Sequence, residues 1–278
     1  MIPTAHITAW RSRAPWPSDA QVEQDLVISR ALVAMFSHPE IADAVAFRGG
    51  SALHKLFFQP PGRYSEDIDL VQVEAGPIGD LLDALRSTLD PWLGEPKRKR
   101  GPGGVTLLYR FESTSRPVQR MRLKVEINSR EHFSVLGRER KSFEVQSRWF
   151  SGSASISTYA LDELLSTKLR ALYQRRKGRD LFDLWWAVRC TEVDFDRVAL
   201  CFTKYLEQEG RRISRAEFEA NFAQKVDDPA FTADVGPLLA PGVDWDRVDA
   251  ARLVAEQVGP RLKGEPWAEP GRSSERKA

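Results

Sequence analysis

Cysteine is scarce in this chain. Cys190 and Cys201 are the two present, without C-x-x-C spacing. That excludes a zinc ribbon of paired cysteines and a disulfide framework, and it points to a reducing, cytoplasmic setting. Long apolar runs are missing too. No stretch approaches the roughly 20 residues of a membrane span. The opening MIPTAHITAWRSRAPWP lacks the continuous apolar core of a signal peptide, so no membrane association is expected. Nor is one sign of charge in excess. Lys and Arg number 41 against 39 Asp and Glu, a net charge of +2. Any case for nucleic-acid binding must therefore rest on local clusters. No internal repeat is evident.

What is present fits a soluble globular protein. The 278 residues are long for one domain and comfortable for two. Residues 19–36 carry Leu26, Ile28, Leu32, Val33 and Phe36 at helical spacing and predict an amphipathic helix. Residues 45–47 read as a short buried strand leading into Gly49-Gly50-Ser51. Ser51 is a candidate N-cap for the helix SALHKLFF, which Pro60-Pro61-Gly62 ends. RYSEDIDLVQVE reads as a strand and IGDLLDALRSTLDPWL as a helix. KRKRGPGG reads as a charged turn, and VTLLYRFES and QRMRLKVEIN as a pair of strands. SGSASIST, residues 151–158, has the composition of a linker. Beyond it five segments look helical, and the end from about residue 264 is polar, proline-rich and expected to fray. The expected organisation is α/β or α+β over residues 1–155 and a helical bundle over residues 156–278.

The chemistry concentrates in FRGGSALHKLFFQPPGRYSEDIDL. Side chains alternate along a strand, so Asp67 and Asp69 share one face while Ile68 and Leu70 take the other. Two carboxylates so close repel, and each raises the other's pKa. A hard divalent cation resolves that conflict: Mg²⁺ prefers carboxylate oxygen and keeps positions for substrate phosphates, and a pair of ions can serve both the attacking and the leaving oxygen. Glu126 adds a third carboxylate, opposite in direction to Leu123, Val125 and Ile127. A D-x-D alone is more often a solvated strand face. Here it follows Ser51 by sixteen residues, and a Gly-Gly turn opening a helix lets backbone approach a phosphate.

GGSALHKLF followed by RYSEDIDL resembles the nucleotidyltransferase superfamily signature. More closely it resembles the AbiEii-like and MenT-like toxins of toxin–antitoxin systems. Those proteins carry a GG[ST] turn, an R-x-S-x-D-[IL]-D segment and a later helical K…RD…D element, and all three occur here in order, over roughly residues 20–190. The resemblance implies an α+β fold, with a nucleotidyltransferase-type mixed sheet and flanking helices before the helical bundle. It implies a nucleotide triphosphate substrate and Mg²⁺, one ion or two, held by Asp67, Asp69 and Glu126. It places Gly49, Gly50, Ser51 and Ser65 near the nucleotide. In some members an active-site hydroxyl is phosphorylated by a kinase-like antitoxin, a role open to Ser65 or Ser51.

The helical half supplies the third element. Lys168 falls within the apolar stripe of Leu161, Leu164, Leu165, Leu169 and Leu172. A lysine there either snorkels to the rim or meets an anion. The resemblance favours nucleotide phosphates as that anion. It also carries a functional role to Asp180, and with less support to Asp183, although Asp180 is equally placed to cap the next helix. Arg179 is a candidate partner for a phosphate or an acidic-site residue.

Between Lys97 and Lys124 lie nine Lys or Arg residues and one acid, Glu112. QRRKGR, with residues 175–179, adds a second cluster near Lys168. Both favour an RNA acceptor. Tyr109 and Phe111 are available to stack bases, though core packing is the commoner use. The resemblance adds nucleotide addition at the 3′ end of tRNA, arrest of translation and growth, and a cognate antitoxin. Three other readings stay open: transfer to a protein or small molecule, a non-catalytic nucleotide- or RNA-binding module, and a metal-dependent nuclease.

Overall fold

The computed structural model describes residues 2–268. They divide into two units. The first runs to Ala160 and takes back Leu238–Val243; the second holds Leu161–Pro237 and the residues from Asp244 on. The first contains α1 (Thr4–Trp10), α2 (Asp19–Phe36), α3 (Pro39–Ala44), β1 (Val45–Arg48), α4 (Gly49–Leu56), β2 (Asp67–Gln72), α5 (Gly79–Leu93), β3 (Lys97–Gly101), β4 (Gly104–Glu112), β5 (Arg120–Asn128), β6 (Arg138–Gln146) and β7 (Ser151–Tyr159). The second contains α6 (Leu161–Gln174), α7 (Gly178–Cys190), α8 (Phe195–Gln208), α9 (Arg215–Val226) and α10 (Arg247–Gln257). The fold is α+β, a mixed sheet with helices followed by a helical bundle.

The seven strands lie in the order β3-β4-β5-β2-β1-β7-β6. The pairs β2–β5 and β1–β7 are parallel; the other neighbours are antiparallel. Alternation decides the faces. Val105, Leu107 and Tyr109 of β4 stand opposite Ile127, Val125 and Leu123 of β5, and all six are buried. Tyr109 donates to Asp90 of α5 at 2.9 Å, which fixes that face as the one helices cover. Lys124, Glu126 and Asn128 take the opposite face. The α2 helix has the bounds its apolar spacing predicts. It starts on a capping box, in which Ser18 accepts from the Gln21 N–H and the Gln21 side chain accepts from the Ser18 N–H.

Three expectations are overturned. SGSASIST is strand β7, paired along its whole length with β6 and in parallel with β1. Its glycine sits in a tight place: a Cβ on Gly152 would come within 3.1 Å of the Val33 side chain and 3.2 Å of Phe150. KRKR is the edge strand β3, and the turn is confined to residues 102–103. Cationic edge strands resist pairing with other chains, so the composition that suggests a loop also suits an edge. Ser51 caps nothing, because α4 begins two residues earlier, at Gly49. The elements α1, α3 and β6 lie where no pattern predicts them.

In the second unit, Asp194 and Asp246 cap α8 and α10 with their side chains, and Ser214 opens α9 in a capping box with Glu217. Trp185 and Arg189 of α7 donate to Asp249 of α10 at 2.8 and 2.6 Å, beside a cluster of Phe182, Trp185, Trp186 and Trp245. Lys225 donates to the Leu172 and Tyr173 carbonyls at the end of α6, both at 2.5 Å. At the expected frayed tail, Trp267 N–H still donates to Glu219 at 2.7 Å; residues 269–278 lie outside the described residues. Among the described residues no helix is long and apolar enough to cross a membrane.

Candidate active site

Parallel pairing of β2 with β5 builds the site. Asp67 stands opposite Lys124, and Asp69 opposite Glu126. The four side chains therefore form a square on the face that helices leave open. Lys124 is the member whose role the sequence pattern does not disclose. Its Nζ lies 2.9 Å from Glu126 and 3.9 Å from Asp67. Burial works against its charge, but the hydrogen bond to Glu126 and the nearby Asp67 outweigh it and hold the ammonium above its ordinary range. Its place between residues 123 and 125, both buried, was the available signal. Asp67 is pushed up to about 6, first by burial and then by Asp69, Glu66 and Glu126, against the pull of Lys124.

The turn ahead of α4 closes on the same square. Gly49 has φ +81, a region side chains avoid, and a Cβ there would strike the Asp69 carboxylate. A Cβ on Gly50 would come within 2.5 Å of the Arg63 guanidinium. The two glycines let the start of α4 pass between Asp69 and Arg63. Gly49→Ala is expected to cost about 1–2 kcal/mol in backbone strain and to push Asp69 aside. A melting curve and a nucleotide-transfer assay will show activity falling much further than stability. Ser51 is 1% exposed. Its hydroxyl donates to the Asp67 carbonyl at 2.5 Å and lies 2.9 Å from the Ser65 hydroxyl. Ser65, half-buried, is the more accessible of the two.

Two cavities flank the turn. One, of about 360 Å³, is lined by Arg48, Asp69, Lys99, Glu126 and Asn128. Its size is that of a small-molecule site. Arg48 is in register with Asp69 and ion-pairs with Glu131. The other, of about 200 Å³, is lined by Ser51, Lys55, Arg63, Ser65 and Asp25. Arg63, 2% exposed, heads the R-x-S-x-D-[IL]-D segment, and that position was its signal.

Asp67, Asp69 and Glu126 are the donor type a hard cation takes, and the raised Asp67 carboxyl shows a site that would gain from one. Among the described residues no three such groups converge into a coordination sphere, and the Lys124 ammonium lies 2.9 Å from Glu126. The residues fit Mg²⁺ in chemistry.

The second unit gathers its own predicted residues. Lys168, at 7% exposure, meets Asp183 at 2.9 Å and Asp180 at 3.6 Å. Both carboxylates are fully buried. Arg175 grips Asp180 with two hydrogen bonds, at 2.8 and 2.9 Å. The anion that Lys168 requires is thus supplied by α7. Asp180 does not cap α7, whose N-cap is Lys177. Arg179 stays out of this cluster and faces Asp234 at 3.9 Å.

A model of the AbiEii nucleotidyl transferase toxins of type IV toxin–antitoxin systems matches residues 30–252. The chain belongs to this family. It is therefore a nucleotidyltransferase of the toxin class, and membership implies a nucleotide triphosphate substrate and an antitoxin partner. Among solved structures it is similar to MenT4, a nucleotidyltransferase toxin from Mycobacterium tuberculosis H37Rv. The identity is 18% and the TM-score 0.62, over 95% of this chain and 100% of that one. It is also similar to JHP933 from Helicobacter pylori, at 14% identity and a TM-score of 0.51, over 88% and 92%. At these identities the likeness concerns the fold. No curated protein matches the chain.

Proposed function

We propose that this toxin transfers a nucleoside monophosphate from a nucleotide triphosphate to an RNA acceptor in the cytoplasm, the 3′ end of tRNA foremost, and so inhibits translation and growth. The observation that carries the reading is the square of Asp67, Asp69, Lys124 and Glu126 at the mouth of the Gly49-Gly50 turn. Asp67, Asp69 and Glu126 are the proposed ligands of Mg²⁺, which when bound supplies charge neutralisation for the triphosphate and the departing pyrophosphate. The start of α4 at Gly49, Gly50 and Ser51 turns its N–H groups to the phosphates, with no side chain capping it. The acceptor hydroxyl oxygen bonds to the α-phosphorus as the bond to pyrophosphate breaks. Glu126 is placed to take the hydroxyl proton once Lys124 leaves it. Lys168 and Asp180 keep their proposed functional roles in the second unit.

The test is incubation with each labelled nucleotide triphosphate, Mg²⁺ and total tRNA. Label is expected on tRNA with at least one nucleotide, and EDTA is expected to remove it. Label on polypeptide or on a small molecule, with none on tRNA for any nucleotide, would overturn the RNA acceptor.

A further inference from the structure

We infer that one face of the β3–β4–β5 ribbon is a track for the acceptor's phosphate backbone, formed by Lys97, Lys99, Arg110 and Arg122 but not by Arg98 or Arg100. The inference rests on the RNA-acceptor reading and deepens it by naming which cations touch RNA.

Register carries the argument. Across the sheet, Lys99 lines up with Thr106, Glu126 and Asp69, and Lys97 with Leu108, Lys124 and Asp67. Side chains in register share a face, so both lysines stand on the face of the acidic square. The next row along the ribbon on that face pairs Arg110 with Arg122. Arg98 and Arg100 are opposite Leu107 and Val105, whose burial puts them on the helix-covered side. The first cavity is consistent with this for Lys99, which lines it together with Asp69, Thr106 and Glu126.

Strands lie about 4.8 Å apart and alternate residues about 7 Å apart. Lys99 is thus about 10 Å across the sheet from Glu126, and Arg122 is about 7 Å along β5 from Lys124. Four cations fall within one or two nucleotides' reach of the carboxylates. All four residues 97–100 are exposed, so their charges are available to a ligand. Arg122 lies 3.8 Å from Glu66 with both side chains largely in solvent, a contact worth little. A partner adding a strand at this end of the sheet would pair with β3, and a run of four cations opposes that. A polyanion gains from the same run.

The experiment compares two double variants, Lys97→Gln with Lys99→Gln, and Arg98→Gln with Arg100→Gln. They remove equal charge from neighbouring exposed positions, so a general field effect is common to both. Binding of a labelled short single-stranded RNA oligonucleotide is measured over a series of KCl concentrations, alongside label transfer from the nucleotide to total tRNA. The lysine pair is expected to lower the log–log salt slope by about 1.4, at about 0.7 per lost phosphate contact, and to raise KM for tRNA more than it lowers kcat. The arginine pair, which carries the field effect alone, is expected to leave the salt slope near its wild-type value and to raise KM several-fold less than the lysine pair does. Equal effects of the two pairs while wild type labels tRNA would overturn the track and spare the acceptor reading. Absence of RNA binding and of tRNA labelling by wild type would overturn both. RNA binding retained by the lysine pair, with loss of antitoxin binding, would overturn the track in favour of a protein-docking face.

Discussion

Asp67→Asn and Asp69→Asn are each expected to lower nucleotide transfer by about 10³-fold, the equivalent of about 4 kcal/mol in the transition state. Neither is expected to unfold the chain. Both carboxylates face the open side of β2, while Ile68 and Leu70 hold the strand in the core. Asp67→Asn carries a second signature. Folding raises the Asp67 pKa from 3.8 to about 6, so the folded chain favours the protonated carboxyl. The stability this contributes is complete below about 3.8 and is lost as the pH climbs through about 6. Without a bound cation, the melting temperature of the wild type should fall across that window on Asp67's account. Asn at this position removes the step. At neutral pH the inactive variant should therefore melt no lower than wild type, and somewhat higher. Calorimetry of both proteins over pH 4–7 in EDTA checks it; a lower melting point for Asp67→Asn at neutral pH would contradict the assignment. Added Mn²⁺ or Mg²⁺ should raise the wild-type melting temperature and leave the variant's unchanged.

Asp25→Ala is the second large effect, and it concerns stability. Asp25 is 4% exposed. The Trp10 and Trp16 indoles donate to its two oxygens at 2.8 and 3.0 Å, and Lys55 of α4 lies 2.7 Å from it. One carboxylate thus ties the N-terminal segment, α2 and α4 together. Its removal leaves the Lys55 ammonium, 11% exposed, without the carboxylate that it pairs with at 2.7 Å. Breaking such a pair from one side costs about 3–5 kcal/mol. Replacing both partners with apolar residues, Asp25→Leu with Lys55→Met, should recover most of that loss, because the uncompensated charge goes too. Urea unfolding of the single and double variants separates the two outcomes. A double variant as unstable as the single would place the energy in the indole hydrogen bonds instead.

The sequence was legible wherever one period dominated. Leu26 to Phe36 repeat at helical spacing, and α2 has the predicted bounds. Leu123, Val125 and Ile127 alternate with Lys124 and Glu126, which put Glu126 on the right face before any pairing was known. The carboxylate pair and the glycine turn were readable because each residue is unusual where it stands. Legibility failed where composition stood in for period. Ser and Gly in β7 carry no apolar alternation, yet neighbouring strands satisfy their backbone, and Val33 and Phe150 crowd the position of Gly152. Four cations hid the strand character of β3. Pair partners also escaped. Spacing shows that Lys168 needs an anion, but Asp183 is fifteen residues away and meets it only through the packing of α7 on α6.

The return of Leu238–Val243 to the first unit bears on how the chain is made. The Tyr64 N–H donates to the Leu238 carbonyl, the Ala240 N–H donates to the Gly62 carbonyl, and Arg63 bridges to Leu239. These residues stand immediately before the acidic pair. Their backbone partners are about 175 residues downstream, so at about 5–20 residues per second the ribosome supplies them about 10–35 s later. Until then the loop ahead of Asp67 is bare. A nascent or prematurely terminated chain therefore holds every residue of the acidic square without the strap that shapes its approach.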